Sequence, residues 1–305
     1  MSKLFMKVLK NRIYNKLDEN QPQEQAVFRR GFSTTDYLHT INQLIEEANE
    51  YQIETHSIFV DFRKPFDSID HEYLIQALEE QGVEMKITNI IRNLYKETTA
   101  YVKLYKNGEP FRVERGVRQV DPLSSNLFNA ALEKIFRKLD WDSYGIRVNG
   151  KNLNHLRFAD DIVLIGESKE IVTRLLRELV KASSVAGLKM NFAKTKYTSN
   201  KPGQDIKLDD IIIEKVDEYI YLGQTISIHS RLEKELQARK KKAWTGFWQL
   251  KQVFKSNIMI KSKVKILESC VLPILTYGAQ TWVLTKSQEK NYKLLKDASS
   301  VVYSI

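Results

Sequence analysis

Three aspartates carry the chemistry for which this sequence can be read. Asp160 and Asp161 stand side by side in RFADDIVLIG, residues 157–166, inside an otherwise apolar stretch, and Asp61 follows the apolar run SIFV in SIFVDF, residues 57–62. Burying an ionised carboxylate alone is costly, so each needs a compensating arrangement. If FA and IVLI are the two arms of a tight hairpin, the pair lies at its tip, and a neighbouring strand could bring Asp61 beside it. Carboxylates gathered in this way raise one another's pKa unless cations intervene. Mg²⁺ suits such a place, because it takes oxygen ligands from a few carboxylates and completes its octahedron with water and substrate phosphates. Two ions about 3.5–4 Å apart can stabilise both the attacking and the leaving oxygen of an in-line phosphoryl transfer. The competing reading of an Asp-Asp pair is an exposed turn, where Asp is common. The apolar flanks and the second strand-end aspartate favour the cation site.

The elements that must position these residues follow from periodicity. SIFVDF is β-favouring, and HEYLIQALEEQGV from His71 returns to helical spacing and closes near Gly82. Leu38, Ile41, Leu44 and Ile45 mark an earlier helix, and Leu127, Phe128, Ala131, Ile135 and Leu139 form an apolar helical stripe over about 123–139. Between Thr98 and Val113 the alternation around Asn107-Gly108 predicts a hairpin, and GIRVNGKN contains a second Asn-Gly turn. Ser168 is an N-cap candidate for a helix running to about Ala186, with Gly187 as its stop. Strand candidates return at LKMNF (188–192), DIIIEK (210–215) and YIYLGQTIS (219–227), after which the chain is helical and basic from Arg231. This order predicts an α+β sheet domain with a helical C-terminal appendage.

Composition narrows the partners. The 305 residues are 42% hydrophobic, enough for a sizeable core, and carry a formal net charge of +10, which suits a polyanion. The single cysteine, Cys270, excludes an intramolecular disulfide and a Cys-based zinc site, and a reducing intracellular compartment, nucleus or cytoplasm, is expected. The longest uncharged run, Ser269 to Thr285, holds Pro273, Gly278 and Gln280 and falls short of the roughly 20 apolar residues of a membrane span, so no membrane segment is expected.

FVDFRKPFDSIDH, GVRQVDPLSSNLFNAALE, RFADDIVLIG, GLKMNFAKTK and YLGQTIS occur in the order of the palm motifs of reverse transcriptases. The flanking text, EQAVFRRGFSTTDYLHTINQLIEEANEY upstream and CVLPILTYGAQTW downstream, resembles the polymerase of insect non-LTR, LINE-like retrotransposons of the RTE type. The resemblance implies a right-hand polymerase with fingers at 1–54 and 72–113, an antiparallel-sheet palm at 55–71 and 114–228, and a helical thumb-like region at 229–305. It implies an RNA template, a DNA primer and dNTPs as partners, and two Mg²⁺ ions, with Mn²⁺ as a substitute, held by Asp61, Asp160 and Asp161. It leaves the oligomeric state open.

By the same resemblance Phe66 fills the space where a ribonucleotide's 2′-hydroxyl would sit, although a core phenylalanine reads the same in isolation. Gln119 contacts the incoming nucleotide, with Arg118, Val120 and the loop backbone beside it. Lys194 or Lys196 stands near the triphosphate and could protonate the leaving pyrophosphate, a solvated basic loop being the alternative. Tyr221, Leu222 and Gly223 match a hairpin that grips the primer, or else a buried edge strand. Arg239, Lys240, Lys241 and Lys242, four consecutive cations, would meet the duplex backbone while Trp244, Phe247 and Trp248 face the core. Asp67, Asp70 and Asp121 read as structural or turn carboxylates.

The chain departs from the family pattern at Val27 and Val120, where glycine is usual, at Pro65, where alanine is usual, and at Ser125, where proline is usual. Valine at 120 disfavours positive φ and adds a branched side chain where the nucleotide approaches, and Pro65 removes an N–H between Asp61 and Phe66. The sequence begins near the fingers region, and whether the endonuclease domain that such elements carry belongs upstream of it is left open. Two readings therefore stand: an RNA-directed DNA polymerase, or a catalytically silent nucleic-acid-binding remnant with the same fold.

Overall fold

The computed structural model describes residues 2–22, 33–103, 105, 108–119, 121–148, 150–203, 205–228, 231–286 and 288–289. Val27, Asn107, Val120 and Asn149 lie outside the described residues. The chain divides into two units, Met1–Ser33 with Ala48–Val216, and Thr34–Glu47 with Asp217–Ile305.

The first unit is organised on a four-stranded antiparallel sheet in the order His155–Phe158, Asp161–Gly166, His56–Val60, Lys196–Ser199. Ile58, Val60, Ile162 and Leu164 alternate along their strands and share a core with Leu127 and Phe128 of the helix Ser124–Phe136 and Leu175 and Leu179 of the helix Lys169–Val185. The period of two in the strands meets the 3.6-residue stripe of the helices, which is how an α+β layer closes. Helix ends are set by the expected chemistry. The Ser168 hydroxyl accepts the Ile171 N–H at 3.2 Å, Gly187 follows the C-cap with φ +82°, and Asp70 caps the helix His71–Glu80 by accepting the Tyr73 N–H at 3.0 Å.

One expected strand is displaced. LKMNF is not a sheet strand: only Met190 bridges to Phe62, and the fourth strand is the polar segment Lys196–Ser199. Gly187 ends the helix, residues 191–195 turn tightly, and the chain then pairs with His56–Phe59. Of the expected hairpin over 98–113, the described residues pair as the strands Thr99–Ala100 and Phe111–Arg112. Pro65 occupies the first turn of the short helix Pro65–Ser68, where a missing N–H leaves no bond unmade.

The second unit holds the hairpin Glu218–Tyr221/Gln224–Ser227 and the helices Arg231–Gln249, Lys251–Lys255, Ile260–Ile266 and Leu272–Thr276. YIYLGQTIS is thus two strands. Leu222 and Gly223 both have positive φ, +45° and +80°, the pattern of a type I′ turn. Leu236, Ala243, Phe247 and Phe254 pack with Leu267, Val271 and Leu275 as a separate core. No described helix is long and apolar enough to cross a membrane.

Candidate active site

Register brings the three aspartates together. The strand His56–Val60 pairs with Asp161–Gly166 up to Val60 opposite Ile162, so one further step along the ladder sets Asp61 beside Asp161. On the other side Phe158 pairs with Asp161, leaving Ala159 and Asp160 as the two residues of the hairpin tip. Asp161 is therefore the first residue of its strand, one place beyond the tip. Ala159 has φ +55°, a conformation that costs an alanine about 1 kcal/mol or more and is held by the pairing on either side.

The electrostatics match that geometry. Asp160 and Asp61 are half-buried, and Asp161 keeps solvent access. Loss of hydration, then the charges of Asp160 and Asp61, push the Asp161 carboxyl up to about 6. Asp160 is also raised, first by desolvation and further by Asp61, against its own backbone hydrogen bond. Among the described residues no lysine or arginine enters as a counter-charge at Asp160 or Asp161. The three carboxylates supply hard oxygen donors with unrelieved repulsion, which fits Mg²⁺, an ion that keeps several waters and binds one or two carboxylates together with phosphate. Among the described residues no group of three or more His, Cys, Asp or Glu side chains is arranged so as to hold a metal ion by itself, so water and substrate phosphate would have to complete the coordination.

Asp61 is held by a loop that periodicity did not single out. The Asn191 N–H donates to the Asp61 carbonyl at 2.7 Å, and the Asp61 N–H donates to the Thr195 hydroxyl at 3.3 Å, itself bonded to the Asn191 carbonyl at 3.0 Å. NFAKTK thus latches both sides of the Asp61 main chain. Its two lysines differ. Lys196 pairs with Glu214 at 2.5 Å, whereas Lys194 is exposed. The arm leading to the tip is anchored by Arg157, only 1% exposed, which pairs with Glu133 at 3.0 Å and lies 4.1 Å from the Phe136 ring centre.

A second seam joins the segment after Asp61 to the RGVRQ loop. The Gly116 N–H donates to the Ile69 carbonyl and the Val117 N–H to the Phe66 carbonyl, both at 2.7 Å. Gly116 has φ +87°, and a Cβ there would come within 2.7 Å of the Asp67 Cα, so this glycine is required by both conformation and space. Phe66 is half-buried and stacks on Phe128, ring centres 4.4 Å apart. Gln119 is exposed and donates to Asp67 at 2.9 Å. Arg118 points the other way, donating to the Leu94 carbonyl at 2.9 Å and the Thr98 hydroxyl at 2.8 Å, so its guanidinium fastens the loop. Asp121 accepts the Leu123 N–H at 2.9 Å in the turn that starts the next helix. A cleft of about 430 Å³ follows this seam, lined by His71, Tyr95, Arg115, Arg118 and Gln119 among others.

In the second unit the four-cation run is not uniform. Arg239 is 5% exposed, pairs with the buried Glu235 at 2.6 Å, donates to the Gly223 carbonyl and covers the Tyr277 ring. Lys241 and Lys242 are exposed and Lys240 is half-buried. Tyr221 is buried, and the turn beside it is tied by the Tyr277 hydroxyl donating to the Leu222 carbonyl at 2.7 Å. Phe247 faces the core, but Trp244 and Trp248 do not: they are 43% and 57% exposed. The expectation that all three aromatics turn inward is corrected by the helical period, which places Leu236, Ala243 and Phe247 on one stripe and both tryptophans beside it.

A sheet-bearing unit with a carboxylate hairpin at its strand ends, joined in one chain to a hairpin-and-helix unit, has the fold of a right-hand polymerase. The chain belongs to the reverse transcriptase (RNA-dependent DNA polymerase) family, whose match covers residues 1–226. Its relatives include a putative transposon-derived protein of Caenorhabditis elegans, 39% identical over 49% of this chain and 56% of that one. A polyprotein from the type-1 retrotransposable element R2 of Nasonia vitripennis is 29% identical over 61% of this chain and 18% of its own length. The probable RNA-directed DNA polymerase from transposon BS of Drosophila melanogaster is 25% identical over 97% of this chain and 34% of its own. The chain thus resembles non-LTR retrotransposon polyproteins and spans about half or less of these relatives. Among solved structures, apo telomerase from Candida tropicalis shares the fold with a TM-score of 0.56 at 13% identity, over 74% of this chain and 39% of that one.

Proposed function

We propose that this chain is an RNA-directed DNA polymerase domain that joins deoxynucleotides to a primer 3′ end on an RNA template, with Asp61, Asp160 and Asp161 as its cation ligands. The observation that carries this reading is the strand register that gathers three carboxylates at adjacent strand ends, where burial, and then neighbouring carboxylate charge, raises the Asp160 and Asp161 carboxyls. Two Mg²⁺ ions, or Mn²⁺ in their place, would lower the pKa of the primer 3′-hydroxyl and stabilise the charge on the departing pyrophosphate.

The protein's own groups supply the rest. The loop 191–195 fixes Asp61, and the Arg157–Glu133 pair fixes the arm that carries Asp160. Phe66 excludes a 2′-hydroxyl, and its stacking on Phe128 supports this role by holding the ring. Gln119 meets the nucleotide, while Arg118 holds the RGVRQ loop in shape. Lys194 donates a proton to the leaving pyrophosphate; the Lys196–Glu214 pair favours Lys194 for this task. In the second unit, primer contact passes through the Leu222–Gly223 turn, and Lys240, Lys241 and Lys242 meet phosphates. In this reading residues 1–54 and 72–113 serve as fingers, 55–71 and 114–228 as palm and 229–305 as thumb, and the enzyme works in the nucleus or cytoplasm.

Primer extension on an RNA template with Mg²⁺ and dNTPs tests the proposal. Product that disappears in Asp160→Asn supports it. Absence of product from folded protein, with product after Val120→Gly, identifies a silenced copy; absence from both favours the binding-remnant reading.

A further inference from the structure

We propose that the face of the helix Arg231–Gln249 bearing Trp244 and Trp248 is a stacking platform for unpaired nucleotides, with the lysines around it holding their phosphates. This stands apart from the carboxylate site, since it concerns binding alone.

The chain has four tryptophans. Trp141 and Trp282 are buried, while Trp244 and Trp248 present 43% and 57% of their surface to solvent. Their separation of four residues puts them on one helical face, about 5–6 Å apart at Cβ. The indoles are braced from behind. The ring of Phe247, buried in the core, meets Trp244 at 5.5 Å and 84° and Trp248 at 5.7 Å and 81°, and itself stacks on Phe254 at 4.8 Å. Two large aromatic surfaces are thus held outward at little cost in ordering when a ligand arrives.

Charge decides what the ligand is. Lys241 and Lys242 are exposed on the preceding turn, and the Lys251 ammonium lies 5.2 Å from the centre of the Trp248 ring. An apolar protein partner would have to desolvate these cations, whereas a polyanion with flat rings engages both features at once. Single-stranded RNA or DNA has that chemistry. A duplex offers phosphates and groove edges but keeps its base faces stacked, so it would use the lysines and leave the indoles untouched.

Tryptophan fluorescence of the full chain, titrated in chelator without divalent ions, tests the platform independently of catalysis. The probes are a short oligothymidylate, an abasic strand of equal length and a blunt duplex. We expect oligothymidylate to quench the emission, and Trp248→Ala to weaken its binding by about 5- to 150-fold, the equivalent of about 1–3 kcal/mol for one stacked base. Abasic-strand affinity should be unchanged by that substitution, and Trp248→Phe should retain most of the oligothymidylate affinity. Equal weakening on abasic and base-bearing strands, wild-type affinity in Trp248→Ala, unchanged emission on binding, or binding to the duplex alone would each overturn the proposal. A silent carboxylate site would alter none of these results.

Discussion

Two runs of like charge behave differently in this chain. Asp160 and Asp161 are adjacent at a hairpin, and the ladder places Asp61 beside them, so backbone pairing forces three anions into one place. Arg239 to Lys242 are adjacent on a helix, where each residue turns about 100° from the last. Arg239 is consequently buried against Glu235, and Lys241 and Lys242 face solvent. Charge concentrated by strand register remains concentrated; charge concentrated only in sequence is dispersed by the helix. The first run is suited to gripping cations, and the second divides into one structural arginine and a solvated basic face.

The sharpest way to break this comparison is to remove one anion. Asp61→Asn or Asp160→Asn should reduce primer extension by about 10³-fold or more, the loss of several kcal/mol of transition-state stabilisation. A small change in rate would mean that the carboxylates do not act together.

On the cationic side the members should separate. Arg239→Ala leaves Glu235 buried and unpaired, so it should lower unfolding free energy by about 3–5 kcal/mol, read from denaturant midpoints. Lys241→Ala should change stability by less than about 0.5 kcal/mol.

The anionic side also has a pH signature. The Asp161 carboxyl rises from 3.8 to about 6 on folding, so the folded chain holds that proton more tightly. Its ionisation opposes folding: the penalty is absent below the unfolded value and complete once pH has passed about 6. In metal-free protein the melting temperature of Asp161→Asn should exceed that of wild type above pH 6, and the two should converge toward pH 4. Mg²⁺ should narrow the gap at neutral pH by stabilising the ionised wild type.

The smallest effect concerns salt. Lys241→Ala and Lys242→Ala should each reduce the logarithmic salt slope of nucleic-acid binding by about 0.7–0.9, and Arg239→Met should leave it unchanged.

Much of the site was legible because its signals are local. The strand that leads into Asp61, the hairpin around Asp160 and the Ser168 cap each follow from a few neighbouring residues. The latch of the Asn191 N–H and the Thr195 hydroxyl on the Asp61 main chain joins groups more than a hundred residues apart, and such bonds leave no periodic trace. Lys196–Ser199 carries no strand signal because its polar residues lack apolar alternation, whereas LKMNF has the apolar residues and lacks the pairing. The outward tryptophans could have been found: the stripe Leu236, Ala243, Phe247 recurs at helical spacing and leaves Trp244 and Trp248 off it. Gly116 is a different case, since the need for glycine arises from the Asp67 backbone packed against it.

In the proposed function Asp61, Asp160 and Asp161 act as one electrostatic site that binds divalent cations. Carboxyl NMR titration of Asp161 tests it most directly, in wild type and Asp61→Asn, with and without Mg²⁺. The account predicts a wild-type midpoint near 6 that falls on adding Mg²⁺ and falls partway in Asp61→Asn. A midpoint near the ordinary carboxylate value, unmoved by either change, would contradict it.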